Sequence, residues 1–334
     1  MAPHLARWDL DKTYLRTEFD TVRDIVRTAF ERPDEKTTNP GASTLLREMV
    51  RSGVSVHILS GSPEQMRRRL EDKLRLDGVT WESFTLKPNL KNVLRLRFRA
   101  LRDQLGYKLP SLLRARAALS GEETARKETL FGDDAEADAF VYSLYADVVS
   151  GRVDEDLLAA ILERGRVYPD VAEKAMASAK SIERVDAVER ILIHLESQTP
   201  PDEFHVYGSR AVPFYNYLQA AFVLFEDTRL EAEGLLRVAV ELAVEHNFDG
   251  DAFARSYLDL ARRGHLRGTR IDELEAALVA WTSREKVPAS GELAKMVAKL
   301  PGEAKIASER WRGEEVPLPD YLVLVEKHNP RRRR

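Results

Sequence analysis

The chain has 334 residues, 43% of them hydrophobic and 32% charged, enough for two domains with filled cores and much exposed helix. It has no cysteine, which excludes disulfides and thiolate–metal centres and fits a reducing compartment. The net charge of −3 hides an asymmetry, because residues 67–116 carry 14 Lys/Arg against 5 Asp/Glu, a balance of +9 that leaves −12 for the rest.

Arg7-Trp8-Asp9 arrives too early for a secretory leader. No stretch approaches the roughly 18 apolar residues of a membrane span. A cytoplasmic protein is therefore expected.

In chain order, residues 54–59 read as a strand, and residues 128–131, ending at Gly132, as a shorter one. Helical patterns fall at 21–30, 44–51, 63–74, 90–105 and 110–119. Strands alternating with helices predict an α/β domain with a mainly parallel sheet over residues 1–150. Beyond it every pattern is helical, at 155–164, 170–179, 184–196, 214–225, 230–246, 250–263 and 271–282. An all-α domain over 151–290 is predicted. Prolines at 288, 301, 317, 319 and 330 predict an extended tail over 291–334, ending in four arginines.

Four short runs carry chemistry. Trp8-Asp9-Leu10-Asp11-Lys12-Thr13 sets two acids at spacing two, so that both can be aimed into one crevice at a strand end. One carboxylate can attack phosphorus while the other handles the leaving group's proton. The plainer alternative is a capped turn. Leu59-Ser60-Gly61-Ser62-Pro63 follows the clearest strand; a hydroxyl there can bind a phosphoryl oxygen, or Ser62 can simply cap a helix begun by Pro63. Lys108, in Gly106-Tyr107-Lys108-Leu109-Pro110, can neutralise a nucleophile and a phosphate together, with Lys87 and Lys91 as rivals. Phe131-Gly132-Asp133-Asp134-Ala135-Glu136-Ala137-Asp138 offers oxygen ligands to a hard cation, or a charged loop with helix capping.

Acid pair, strand-end serine, lysine and Gly-Asp-Asp cluster, in that order, resemble the four motifs of the haloacid dehalogenase (HAD) phosphohydrolases over about residues 5–150. The phrases Ser60-Gly61-Ser62-Pro63, Phe84-Thr85-Leu86-Lys87 and Gly132-Asp133-Asp134 also resemble the subgroup containing the yeast-type phosphatidate phosphatases of actin patches. The resemblance implies a HAD-like Rossmannoid core and Mg²⁺ as cofactor. It implies Asp9 as the nucleophile forming an aspartyl-phosphate, and Asp11 as general acid/base with its backbone carbonyl also on Mg²⁺. Thr13, Ser60 and Gly61 would bind the phosphoryl group, and Lys108 would stabilise its charge. Asp133 would ligate Mg²⁺ directly, and Asp134 or Asp138 would support the metal or orient the lysine. The strand before the acid pair departs from the family's apolar pattern by carrying Arg7.

Thr13 to Ser60 spans 47 positions and Ser60 to Lys108 spans 48, intervals largely used by core elements. A capless site is expected, and with it a large or anionic phosphorylated substrate such as a protein phosphoester or a lipid headgroup. The basic stretch lacks the interleaved aromatics that single-strand nucleic-acid binding uses, so an end-processing phosphatase is the weaker expectation. The competing reading is a non-catalytic HAD scaffold whose helical domain binds a partner. The aromatic run Phe204 to Tyr217 reads as helix-packing core or as a binding groove, and no two histidines stand at a metal-binding spacing.

Overall fold

Ala6 and Trp8 point to one side of a parallel sheet and Arg7 to the other, and a similar alternation sorts most buried apolar strand residues between two layers. In the computed structural model, which describes residues 4–16, 37–87, 101–313 and 317–328, six strands form one all-parallel sheet. They are β1 (His4–Trp8), β2 (Val54–Pro63), β3 (Ser83–Lys87), β4 (Lys127–Asp133), β5 (Val188–His194) and β6 (Ala211–Phe214), in the order β3-β2-β1-β4-β5-β6. The chain winds outward from β1 to β3 and then restarts at β4 on the other side of β1. That reversal makes the gap between β1 and β4 a topological switch point, where the carboxyl ends of the strands open a crevice.

The helices follow this winding. On the face of Trp8, Val56, Ile58, Phe131 and Leu192 pack α1 (Ala42–Arg51) and α2 (Arg67–Leu76). On the face of Leu59, Leu130, Ile191 and Ile193 pack α3 (Leu101–Ala117), α4 (Asp138–Val149), α5 (Glu155–Arg164) and α6 (Pro169–Ser181). After β6 the chain returns to the first face with α7 (Tyr217–Glu226), α8 (Ala232–His246), α9 (Gly250–Arg262), α10 (Ile271–Arg284) and α11 (Ser290–Arg310). The last element, α12 (Tyr321–His328), packs on the second face through Tyr321 and Val325. No helix among the described residues is long and apolar enough to cross a membrane.

The α/β expectation holds, and four readings are corrected. Residues 151–290 are not all helical: β5 and β6 lie within them and complete the same sheet. Residues 184–196, read as a helix, contain β5, whose Ile191-Leu192-Ile193 run is buried on both faces. The tail over 291–334 is not extended where it is described, since α11 carries Pro301 within its length and α12 follows. Similarly, the two helices expected at 90–105 and 110–119 meet as α3 with Pro110 inside it, and residues 88–100 lie outside the described residues. The helix expected at 21–30 also lies outside them.

Candidate active site

The strand-end geometry starts with Arg7. Its guanidinium would be costly on a buried strand without a partner. Glu128 on β4 supplies one at 2.9 and 3.2 Å, and Arg116 and Tyr145 complete the acid's shell at 2.9 Å each. Trp8, next in line, stacks on Phe131 of β4 at 3.9 Å between ring centroids. The Asp9 amide then donates to the Phe131 carbonyl at 3.0 Å, which fixes Asp9 at the crevice.

Beyond Asp9 the chain turns tightly. Lys12 takes a left-handed backbone (φ 60°), and the Tyr14 and Leu15 amides both donate to the Leu10 carbonyl. Asn39 Nδ2 holds the turn from outside by donating to the carbonyls of Lys12 (3.1 Å) and Thr13 (2.7 Å), and the Tyr217 hydroxyl donates to Thr13 as well. The turn keeps Asp11 facing β2. There Ser60 Oγ donates to Asp11 Oδ2 at 2.9 Å and Ser62 Oγ to the same oxygen at 3.0 Å.

One expectation changes at β2. The strand runs on through Pro63, so Ser62 caps no helix; at spacing two from Ser60 it turns its hydroxyl to the same carboxylate. The Ser60 hydroxyl, expected on a phosphoryl group, is engaged by Asp11 and by the Ser62 amide at 3.0 Å. Gly61 leaves open space where a side chain would stand.

Lys108 rises from α3 into the crevice with its side chain fully buried. Its Nζ lies 2.5 Å from Asp138 Oδ1, 2.8 Å from Glu136 Oε2 and 3.4 Å from Asp9 Oδ2. Among the rival lysines, Lys87 lies over the Tyr107 ring at 5.7 Å, and Lys91 falls outside the described residues.

After β4, Asp133 Oδ1 accepts the amides of Ala135 (2.7 Å) and Glu136 (3.0 Å), curling the acidic run into a turn. Thr13 Oγ1 reaches Asp133 Oδ2 at 3.5 Å. The turn needs Gly132, because a Cβ there would stand 2.4 Å from Asp138 Oδ2. Asp138 opens α4 and accepts the Asp133 amide at 3.2 Å. Asp134 is turned away: its two oxygens accept the amides of Ser197 (2.6 Å) and Thr199 (2.8 Å), and of the two acids expected to support the metal or orient the lysine it is Asp138 that stands beside Lys108.

Asp9, Asp133, Glu136 and Asp138 thus bring one oxygen each within 4.8 Å of one another, facing one ammonium. Both oxygens of Asp9 are buried without a hydrogen-bond donor, although Lys108 stands nearby. Burial pushes the Asp9 and Asp133 carboxyls well above the usual range, and the neighbouring acids Asp138 and Glu136 add to it. Burial likewise raises Asp138, to about 6, and raises Asp11, on which Glu136 acts in the same direction. Burial opposes the charge on Lys108, but Asp138, Asp9 and Glu136 outweigh it and hold the ammonium protonated. Four carboxylates around one ammonium, with an unbonded pair of Asp9 oxygens, form a donor set suited to a hard divalent cation. The Asp11 side chain stands outside that set, on its two serines.

Glu136 and Ser62 escaped assignment from sequence, although each stands within a run singled out for its chemistry. The Tyr107 hydroxyl, which donates to the Ser60 carbonyl at 2.8 Å, and Tyr217 carry no local signal of a site. The run from Phe204 to Tyr217 is packing core at Phe204, Tyr207, Phe214 and Tyr217. No family model, curated protein or solved structure matches the chain.

Proposed function

We propose that this chain is a Mg²⁺-dependent phosphatase of the haloacid dehalogenase type, hydrolysing a phosphomonoester through an aspartyl-phosphate on Asp9. The observation that carries the reading is the Asp9 carboxylate itself. It is buried at the switch point, without a hydrogen-bond donor on either oxygen, 3.4 Å from the Lys108 ammonium and grouped with three further carboxylates.

In the proposed reaction an Asp9 oxygen attacks phosphorus and the P–O bond to the leaving group breaks. Asp11, whose raised pKa favours the protonated form, gives its proton to the departing oxygen. Water then attacks the phosphorus of the aspartyl-phosphate as Asp11 takes a proton from it, releasing phosphate and restoring Asp9. Ser60 and Ser62 position Asp11 throughout. Lys108 offsets charge on Asp9 and on the transferring group. Asp9 and Asp133, with Glu136 or Asp138, would hold Mg²⁺, which when bound offsets the carboxylates' surplus and lets an anionic nucleophile meet an anionic substrate.

The substrate is proposed to be large or anionic, as a protein phosphoester or lipid headgroup would be. Nucleic acid is not favoured, because the basic stretch lacks the interleaved aromatics that single-strand binding uses. Hydrolysis of an aryl phosphate by the wild type and Asp9→Asn, with and without Mg²⁺, tests the reading. Activity that needs both Mg²⁺ and Asp9 supports it; equal activity in Asp9→Asn removes it.

A further inference from the structure

At the opposite edge of the sheet from the acids, where β4, β5 and β6 begin, a cavity of about 250 Å³ opens beside Val188. Four cations form much of its wall: Lys127, Arg190, Arg210 and Arg267. Three acids share the wall, and each already has a cation. Asp227 is held by Arg190 through two bonds of 2.5 and 2.9 Å. Glu189 is held in the same way by Arg229, at 2.9 and 2.7 Å. Asp186 is exposed and stands 3.9 Å from Lys127. Arg267 comes to Asp227 as a second cation, at 3.5 Å.

Arg210 is the decisive side chain. It is 5% exposed, and its Nη2 pairs with Asp147 at 2.8 Å. Asp147 is also bonded by Arg152 (3.2 Å) and by the Tyr321 hydroxyl (2.5 Å), so its charge is shared. Arg210 Nε is buried and has no acceptor. A buried guanidinium N–H without an acceptor carries an appreciable desolvation cost, which a small turn of the Arg210 side chain onto an oxyanion in the cavity would remove. Planar guanidinium forks suit the oxygens of phosphate or carboxylate.

We propose that this cavity is a binding site for a small oxyanion, held by Arg210 and Arg267 and separate from the acidic cluster around Asp9. Trp311 provides a local reporter, because its ring lies 4.9 Å from the Arg267 guanidinium and 5.7 Å from that of Arg190.

The test is titration of the full-length Asp9→Asn variant with inorganic phosphate in EDTA, following tryptophan fluorescence at constant ionic strength. Asp9→Asn and EDTA together suppress phosphate binding at the acidic cluster. Sulfate and acetate titrations in parallel separate tetrahedral from carboxylate anions. A saturable change that disappears in Trp311→Phe, and that weakens at least tenfold in Arg267→Gln, is the expected result for at least one of the three anions. Arg267 is one-third exposed, so its replacement tests the site without opening the core; Arg210→Lys, which keeps the charge but loses Nε, is expected to weaken binding too. A response no larger than that to chloride overturns the proposal, as does saturation unchanged in Arg267→Gln.

Discussion

Arg7 on β1 and Glu128 on β4 are joined across the sheet by two hydrogen bonds of 2.9 and 3.2 Å, with both side chains almost wholly buried. Arg7 stands just before Asp9 in the chain, and the pair ties together the two strands whose ends form the acidic cluster. Arg7→Met would leave Glu128 with Arg116 and Tyr145 only. The expected loss is below the roughly 3–5 kcal/mol of a buried charge left without any partner, because Arg116 still faces Glu128. Urea unfolding measures it.

That pair also shows how far the sequence could be read. The lone arginine made β1 look like a poor strand, because its partner stands 121 positions away and nothing local announces it. The acid pair, Lys108 and Asp133 could be found from residue type and order, since strand ends collect at one edge of a parallel sheet. The turning away of Asp134 could not, because it depends on the amides of Ser197 and Thr199 in a loop after β5. β5 and β6 were hidden for another reason: a strand buried on both faces loses the alternation that would distinguish it from a buried helix.

Gly132→Ala should disturb the cluster more than one methyl group suggests. The new Cβ would meet Asp138 Oδ2 at 2.4 Å and its Cβ at 2.6 Å, forcing the side chain away from Lys108. A stability loss of about 1–3 kcal/mol is expected from overpacking. A larger proportional loss should appear in aryl phosphate hydrolysis, measured on the folded fraction.

Divalent cation should stabilise the protein through the Asp9–Asp133 group. Thermal unfolding with Mg²⁺ at 100 times its dissociation constant should show about 2.7 kcal/mol of added stability. Asp133→Asn should lose most of that increment. A Mg²⁺ effect of the same size in the variant would place the ion elsewhere.

Stability should carry a histidine signature on the acid side. His4 is buried against Thr129, and burial, with Arg229 acting the same way, lowers its pKa to about 3. The folded chain therefore keeps His4 neutral while the unfolded chain gains a proton below pH 6.5, so this stability is present above pH 6.5 and lost as pH falls toward 3. Between pH 7.5 and 5.5 the wild type should lose about 1.4 kcal/mol relative to His4→Gln. Using the variant as reference cancels the opposing contribution of the buried acids. Urea midpoints at the two pH values give the difference.

The central claim is that Asp9 becomes phosphorylated during turnover. The most direct measurement is acid quenching of the enzyme during Mg²⁺-dependent hydrolysis of an aryl phosphate, followed by peptide mass analysis. The account predicts a phosphoryl group on Asp9 in a fraction of the wild type, and none in Asp9→Asn or without Mg²⁺. A phosphoryl group on another residue during turnover, or sustained turnover by Asp9→Asn, would contradict it.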